Sequence, residues 1–236
     1  MKGFNNVLEP SFNEVFKNNH DLKGNWRRGW FGNDRPIIVE LGCGKGEYTV
    51  GLAEKFPEKN FIGIDIKGAR LWKGARESYH RNLPNAAFLR TRIEFIESFF
   101  ARGEIDEIWI TFPDPQPKRK REKKRLPGPV FLNIYRRILK DNGIIHLKTD
   151  NRELFDYALS VVNANNLEII SSSADLYSQF PGDPLLSIRT YYEEKFLEQG
   201  SVEDFMVGLV TVVKEAFVTC FAASARADVD QRIRIE

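Results

Sequence analysis

Short apolar runs alternate with longer stretches in which apolar residues recur at helical spacing. The run from Ile37 to Leu41, interrupted only by Glu40, leads into a glycine-rich turn, as a buried strand entering a loop does. Tyr48, Leu52, Ala53 and Phe56 follow at helical spacing with Pro57 just beyond, and FIGIDI at 61–66 reads as a second strand. The alternation continues with a helix over about 68–82, a strand near 86–90, a helix over about 93–101 and a strand at 107–112. It resumes with a helix at about 129–139, a strand at 143–149, a helix at about 151–163 and a strand near 167–171. This order predicts a doubly wound α/β fold, a mostly parallel sheet with helices on both faces joined by right-handed crossovers.

The periodic region occupies residues 36–200, read as one domain, with residues 1–35 as an amino-terminal extension. The Ser, Pro and Gly content of residues 171–187 predicts a long surface connection. Residues 201–236 are ambiguous. FMVGLVTVV reads equally as a closing strand or as part of one apolar helix.

Composition narrows the class. With 42% hydrophobic residues among 236, the chain can fill a sizeable core. Its 35 basic and 33 acidic side chains leave a net charge of only +2, so attraction to a polyanion must come from local clustering. Two cysteines, Cys43 and Cys220, lack the spacing of a zinc site or a disulfide framework. No metal site is expected, a reducing compartment is the default, and with no secretory or membrane-spanning segment the chain reads as cytoplasmic.

VELGCGKG sets Gly42, Gly44 and Gly46 directly after the first long strand, where the backbone turns sharply and can approach a ligand closely. A dinucleotide fingerprint needs its third glycine where Glu47 stands, and a P-loop needs Ser or Thr after its lysine, where Gly46 stands. Phosphate binding is therefore disfavoured. Glu40 suits a ligand with a positive group, and Asp65 closes the next strand at the place where a carboxylate accepts from ribose hydroxyls. The plainer alternative makes the glycines a tight turn and the two acids helix caps. Cys43 reads as a small filler between glycines.

Further along, TFPDPQPKRKREKKR places Asp114 between two prolines and then packs seven positive charges into the eight positions Lys118 to Arg125. Flanking prolines stiffen the loop around the carboxylate. A cluster of that density suits RNA phosphates, though solvated surface is the ordinary alternative. Trp26, Arg27, Arg28 and Trp30 form a second aromatic-basic group, readable either as an RNA clamp or as a hydrophobic cap. His146, in a strand, reads as a solvent-facing or satisfied core histidine, and His20 and His80 carry no signal.

E-x-G-x-G-x-G followed by an acid at the end of the second strand resembles a class I S-adenosylmethionine-dependent methyltransferase. With FPDPQPK (112–118), KTDN (148–151) and TYYEEKF (190–196), the chain resembles the tRNA (guanine-N7)-methyltransferase family of the TrmB type. The resemblance implies S-adenosylmethionine as cofactor, tRNA as partner, no membrane, and methylation of N7 of a variable-loop guanosine, position 46. It places Glu40, Gly42, Gly44, Gly46, Asp65, Arg92 and Asp114 around the cofactor, with Asp114 facing the transferred methyl. Lys118, Asp150, Thr190 and Glu193 fall at its substrate positions, and Arg119, Lys120, Arg121, Lys123, Lys124 and Arg125 would line the RNA. Three features depart from the pattern: Arg92 stands where the family offers Asp or Asn, Gln116 where many members have Trp, and the tail beyond Gly200 does not match the expected closing strand. An oxidoreductase on a similar sheet and a non-catalytic RNA-binding protein are the competing readings.

Overall fold

The computed structural model describes residues 4–16, 18–173, 175–180, 182–183, 185, 188–191, 193 and 207–213. Its strands are β1 (Val7–Leu8), β2 (Ile37–Leu41), β3 (Asn60–Asp65), β4 (Ala86–Arg90), β5 (Ile105–Thr111), β6 (Leu139–Thr149), β7 (Glu168–Ser173) and β8 (Val207–Val213). The helices are α1 (Phe12–Val15), α2 (Glu47–Lys55), α3 (Gly68–His80), α4 (Pro129–Ile138), α5 (Arg152–Ala164) and α6 (Leu176–Gln179). All eight strands form one sheet in the order β1-β4-β3-β2-β5-β6-β8-β7, parallel except for β8, which runs antiparallel to both neighbours. The chain winds from β2 through β3 to β4 and then crosses to β5 on the other side of β2. That reversal sets a switch point between the β2 and β5 ends, where a ligand crevice opens.

Side-chain alternation sorts the two faces. Ile37, Val39, Leu41, Ile62, Ile64, Ile108, Ile110, Ile145 and Leu147 pack with α4 and α5 residues such as Phe131, Tyr135 and Phe155 in the large core. The intervening positions, including Ile38, Phe61, Phe88 and Trp109, pack with Tyr48, Leu52, Leu71 and Ala75 from α2 and α3. Period-2 strands between helices thus bury both sheet faces, as a parallel sheet requires.

The amino-terminal aromatic group is a cap. Trp26 is fully buried, stacks on Phe100 at 5.4 Å and donates from its indole nitrogen to the Phe99 carbonyl at 2.9 Å. Arg27 pairs with Asp106 at 2.7 Å, and Arg28 pairs at the surface with Asp34.

Several boundaries differ from the sequence reading, and the surface connection expected over 171–187 carries the end of β7 and the short helix α6. The helix expected over 93–101 is a 3-10 turn over Ile93–Ser98, because Ile93, Ile96 and Phe99 recur every third residue and so line up at that tighter period. The strand expected at 143–149 begins at Leu139, with an irregular register at Ile105/Glu107 and Asn142 at φ 59. The ambiguous tail contains a strand: β8 inserts between β6 and β7 and supplies the closing strand that the sequence appeared to lack. Cys220 and the end of TYYEEKF lie outside the described residues.

Candidate active site

Four loops leave the carboxyl ends of β3, β2, β5 and β6 side by side. At the ordinary strand spacing of ~4.8 Å, these ends form a row roughly 15 Å long. Asp65, the glycine loop, Asp114 and Asp150 stand along it in that order.

The glycine loop is seated by its neighbours. Gly42, Gly44 and Gly46 all have positive φ, at 74°, 57° and 76°. Their surroundings differ. A Cβ on Gly42 or Gly44 would meet nothing within 4 Å, whereas one on Gly46 would lie 2.7 Å from the Phe88 ring and 3.1 Å from the Gly74 Cα. The first two glycines therefore face open space at the switch point, and the third lets α2 and α3 close on Phe88. Asp65 ties the loop down: its two carboxylate oxygens accept from the backbone nitrogens of Gly44 at 2.9 Å and Lys67 at 2.7 Å. Immediately after it, Ile66 is half exposed.

Glu40 is buried beneath this loop. One oxygen accepts from the Thr49 backbone nitrogen at 2.9 Å and hydroxyl at 2.5 Å, the other from the Thr111 hydroxyl at 2.6 Å. Burial pushes its carboxyl up to about 7 despite these donors. The carboxyl thus braces α2 and β5 against β2, while Asp65 bonds the residue before α3 rather than a nitrogen of the helix itself. Gly63, its register partner on β3, leaves room for this, since a Cβ there would lie 2.7 Å from the Thr49 hydroxyl. Cys43 is a buried filler whose thiol burial pushes far up, which removes it as a nucleophile.

Asp114 is exposed on the turn after β5. Its carboxylate accepts from the Gln116 backbone nitrogen at 3.0 Å, and the Phe112 nitrogen donates to the Lys148 carbonyl at 2.8 Å. Phe112 and Gln116 have φ of 48° and 47°, so two non-glycine residues in the left-handed region bracket the carboxylate. Strain of that kind is of order 1–3 kcal/mol per residue and collects where a side chain must be held in one place. The basic run behind it forms a 3-10 turn over Arg119–Lys124 with no buried residue. Arg125 differs from the rest. Its Nε donates to the Pro115 carbonyl at 3.1 Å and its guanidinium lies over the Tyr157 ring at 4.4 Å, so it clamps the loop to α5.

Beyond β6, Asn151 caps α5 by accepting from the Leu154 nitrogen at 2.8 Å, which leaves Asp150 exposed at the mouth. Thr190 and Glu193 are buried and bonded to each other: the Glu193 carboxylate accepts from the Thr190 nitrogen at 3.0 Å, and the Glu193 nitrogen donates to the Thr190 hydroxyl at 3.2 Å. The other Glu193 oxygen meets the buried ammonium of Lys148 at 2.5 Å, and that ammonium also donates to the Tyr48 hydroxyl at 2.8 Å. Burial lowers the Lys148 pKa, with the Glu193 charge opposing it. Lys45 of the glycine loop sits over the Tyr191 ring at 3.1 Å, so Tyr191 and Glu193 between them touch the glycine loop and β6.

The sequence reading missed Thr49, Thr111, Lys148 and Ile66. Lys148 carried a signal: it occupies the strand face of Ile144 and His146 yet is charged. Nothing local identified its partner, 45 residues away. Arg92 does not join the row through its side chain, which is exposed, bonds Glu94 at 3.3 Å and lies over the Phe95 ring. His146 is satisfied, stacked on Trp109 at 4.1 Å and bonded to Glu107 at 3.1 Å. Among the described residues no His, Cys, Asp and Glu group is arranged to hold a metal ion, and no helix is long and apolar enough to cross a membrane.

A glycine loop at the switch point of this sheet, tied to an acid at the next strand end, defines a class I methyltransferase fold. Residues 34–204 match the family described as "Putative methyltransferase" (Methyltransf_4). Over 198 residues the chain is 50% identical to the tRNA (guanine-N(7)-)-methyltransferase of Christiangramia forsetii, covering 84% of this chain and 88% of that one. It is 50% identical over 200 residues to the enzyme of the same name from Bacteroides thetaiotaomicron, covering 85% and 79%. The chain belongs to this tRNA (guanine-N7-)-methyltransferase family. At the level of fold it is similar to the crystal structure of the 16S rRNA methyltransferase KamB, with a TM-score of 0.63 at 12% identity over 83% of this chain and 94% of that one.

Proposed function

We propose that the protein transfers the methyl group of S-adenosylmethionine to N7 of the variable-loop guanosine at position 46 of tRNA, and that it does so in the cytoplasm. The observation that carries the reading is the Asp114 turn, a stiff, exposed carboxylate one strand away from an open glycine loop in a chain half identical to enzymes named for guanine-N7 methylation of tRNA.

The residues present fit the cofactor. Open space over Gly42 and Gly44 admits a ligand that a Cβ would obstruct, Asp65 stands at the ribose position, and half-exposed Ile66 offers an apolar surface to the adenine. The end of β4 stands in register with Asp65 at Arg90, which supports the backbone after it as that edge, since the Arg92 guanidinium bonds Glu94. Glu40 holds the floor of the loop through its bonds to Thr49 and Thr111.

S-adenosylmethionine supplies an electrophilic methyl on a positively charged sulfur. Guanine N7 carries an in-plane lone pair and no proton at neutral pH, so the chain need not provide a general base; placement carries most of the rate. Positive charge develops on the purine, and the fixed Asp114 carboxylate is preorganised to stabilise it. Lys118 and Asp150, exposed at the mouth, meet the RNA, while Thr190 and Glu193 form the wall behind the base. Arg119, Lys120, Arg121, Lys123 and Lys124 neutralise phosphates, and Arg125 holds their loop in place.

The test uses an unmodified tRNA transcript with radiolabelled S-adenosylmethionine, followed by digestion to nucleosides. Label in 7-methylguanosine, absent when the transcript carries adenosine at position 46, is the expected result. Label in another nucleoside overturns the assigned atom, and label surviving the substitution overturns the position.

A further inference from the structure

The charge of this molecule is strongly segregated. The run from Lys118 to Arg125 carries seven cations and one acid, a net of +6. Residues 67–81, which comprise α3 and its two flanking residues, carry five cations (Lys67, Arg70, Lys73, Arg76, Arg81) and Glu77, a net of +4. With +2 for the whole chain, the remaining residues carry a net −8. Two positive islands therefore stand on an otherwise acidic molecule, and only the first has a place in the methyl-transfer site.

The second island is directed outward. Glu77, its lone acid, is occupied by Arg81, which also pairs with Glu54. Lys67, Arg70 and Lys73 are exposed and form no ion pair with any described residue. Arg76 lies over the Trp72 ring at 5.2 Å, and Phe4 packs on Trp72 and on Tyr79, at 5.9 Å and 5.4 Å between ring centroids. Tyr79 is half exposed. Cations beside part-exposed aromatic rings suit a nucleic-acid backbone with unstacked bases better than they suit a salt-bridged helix surface.

Placement connects the two islands. α3 starts three residues after Asp65, at the rim of the cofactor crevice, and runs down the α2 side of the sheet. The basic run leaves β5 on the same rim but leads into α4 on the opposite side. β3 and β5 flank β2, so their ends are about 10 Å apart. From Lys67 to Arg76 the helix extends the positive surface by roughly another 13 Å at 1.5 Å per residue.

We infer that the outer face of α3, carried by Arg70, Lys73 and Arg76, is a second phosphate-binding surface for the same tRNA. It grips a backbone segment remote from the reacting guanosine, while the run at 118–125 holds the segment beside it. The inference rests on the tRNA reading given above.

The triple substitution Arg70→Gln, Lys73→Gln, Arg76→Gln keeps most of each side-chain stem and removes the charge. It is measured beside Arg119→Gln, Lys120→Gln, Arg121→Gln in the basic run, on full-length tRNA between 50 and 200 mM salt. Each triple is expected to lower the slope of log affinity against log salt by about 2, from three lost phosphate contacts. For the α3 variant, KM for tRNA rises about tenfold at low salt, while kcat at saturating tRNA, S-adenosylmethionine affinity and melting temperature stay unchanged. If the basic-run variant flattens the slope and the α3 variant leaves both slope and KM as in the parent, the inference is overturned and the tRNA reading stands. If the parent itself shows no salt-dependent tRNA binding, the tRNA reading fails and the inference with it. A loss confined to binding of anionic lipid vesicles assigns the face to a membrane surface and also overturns it.

Discussion

Three carboxylates at one rim perform different tasks because their surroundings differ. Asp114, exposed and locked by its own turn, is the carboxylate proposed to face the reacting base, and Asp114→Ala should then lower methyl transfer by at least about 100-fold, the scale for losing one preorganised electrostatic group. The tRNA dissociation constant should move less than threefold, and equal loss of both would contradict the role. Glu193 is buried against Lys148. Lys148→Met leaves that carboxylate without its cation, which should cost about 3–5 kcal/mol of stability, and the double variant with Glu193→Gln should recover most of the loss in a denaturant titration. Glu40 has a folded pKa raised to about 7 from an ordinary 4.5. A raised carboxyl favours the protonated fold, so its contribution is complete below pH 4.5 and is lost as pH climbs through 7. Relative to Glu40→Gln, the parent without ligand should lose about 3 kcal/mol over that window, at 1.36 kcal/mol per pK unit. A pH-independent difference between the two would remove Glu40 as the titrating group.

Between elements, packing at the glycine loop decides how closely α3 can approach. A Cβ on Gly74 would fall 2.6 Å from the Lys45 carbonyl oxygen and 2.8 Å from the Phe88 ring. The carbonyl belongs to the loop itself and cannot swing aside. Gly74→Ala should therefore cost about 1–3 kcal/mol as an overpacked contact and displace the loop. The expected outcome is weaker S-adenosylmethionine binding by calorimetry with little change in tRNA affinity; unchanged cofactor binding would show that α3 gives way instead. The strands and most helices around this contact were legible in the sequence, because hydrophobic period is a local property and Gly and Pro mark the turns. The 3-10 turn at 93–98 was legible in hindsight from its three-residue spacing. The Gly74 contact was invisible, since a glycine inside a helix says nothing of what approaches it.

For the molecule as a whole, the strand at 207–213 matters more than its position near the chain end suggests. β8 pairs with β6 on one side and β7 on the other, so it joins β7 to the rest of the sheet. Val210 lies opposite His146 and Ser171. Proline at that position removes a ladder donor from an interior strand, a loss of about 3 kcal/mol at the upper end for an orphaned hydrogen-bond partner. Val210→Pro should lower the melting temperature by about 6–12 °C for a domain of this size. A melting temperature within 2 °C of the parent would mean that β8 contributes little to the fold.

The sequence by itself determined the order and type of strands β2 to β7 and helices α2 to α5, the glycine loop, the stiff Asp114 turn and the basic run, because each is written in adjacent residues through hydrophobic period, backbone restriction or charge density. Tertiary structure alone decided which of these groups meet. The Glu40 brace to Thr111, the Lys148 pairing with Glu193 and the insertion of β8 join residues 35 or more positions apart. Such contacts depend on which strands lie side by side, and that order is set by how the crossovers pack both faces of the sheet rather than by any short stretch of chain.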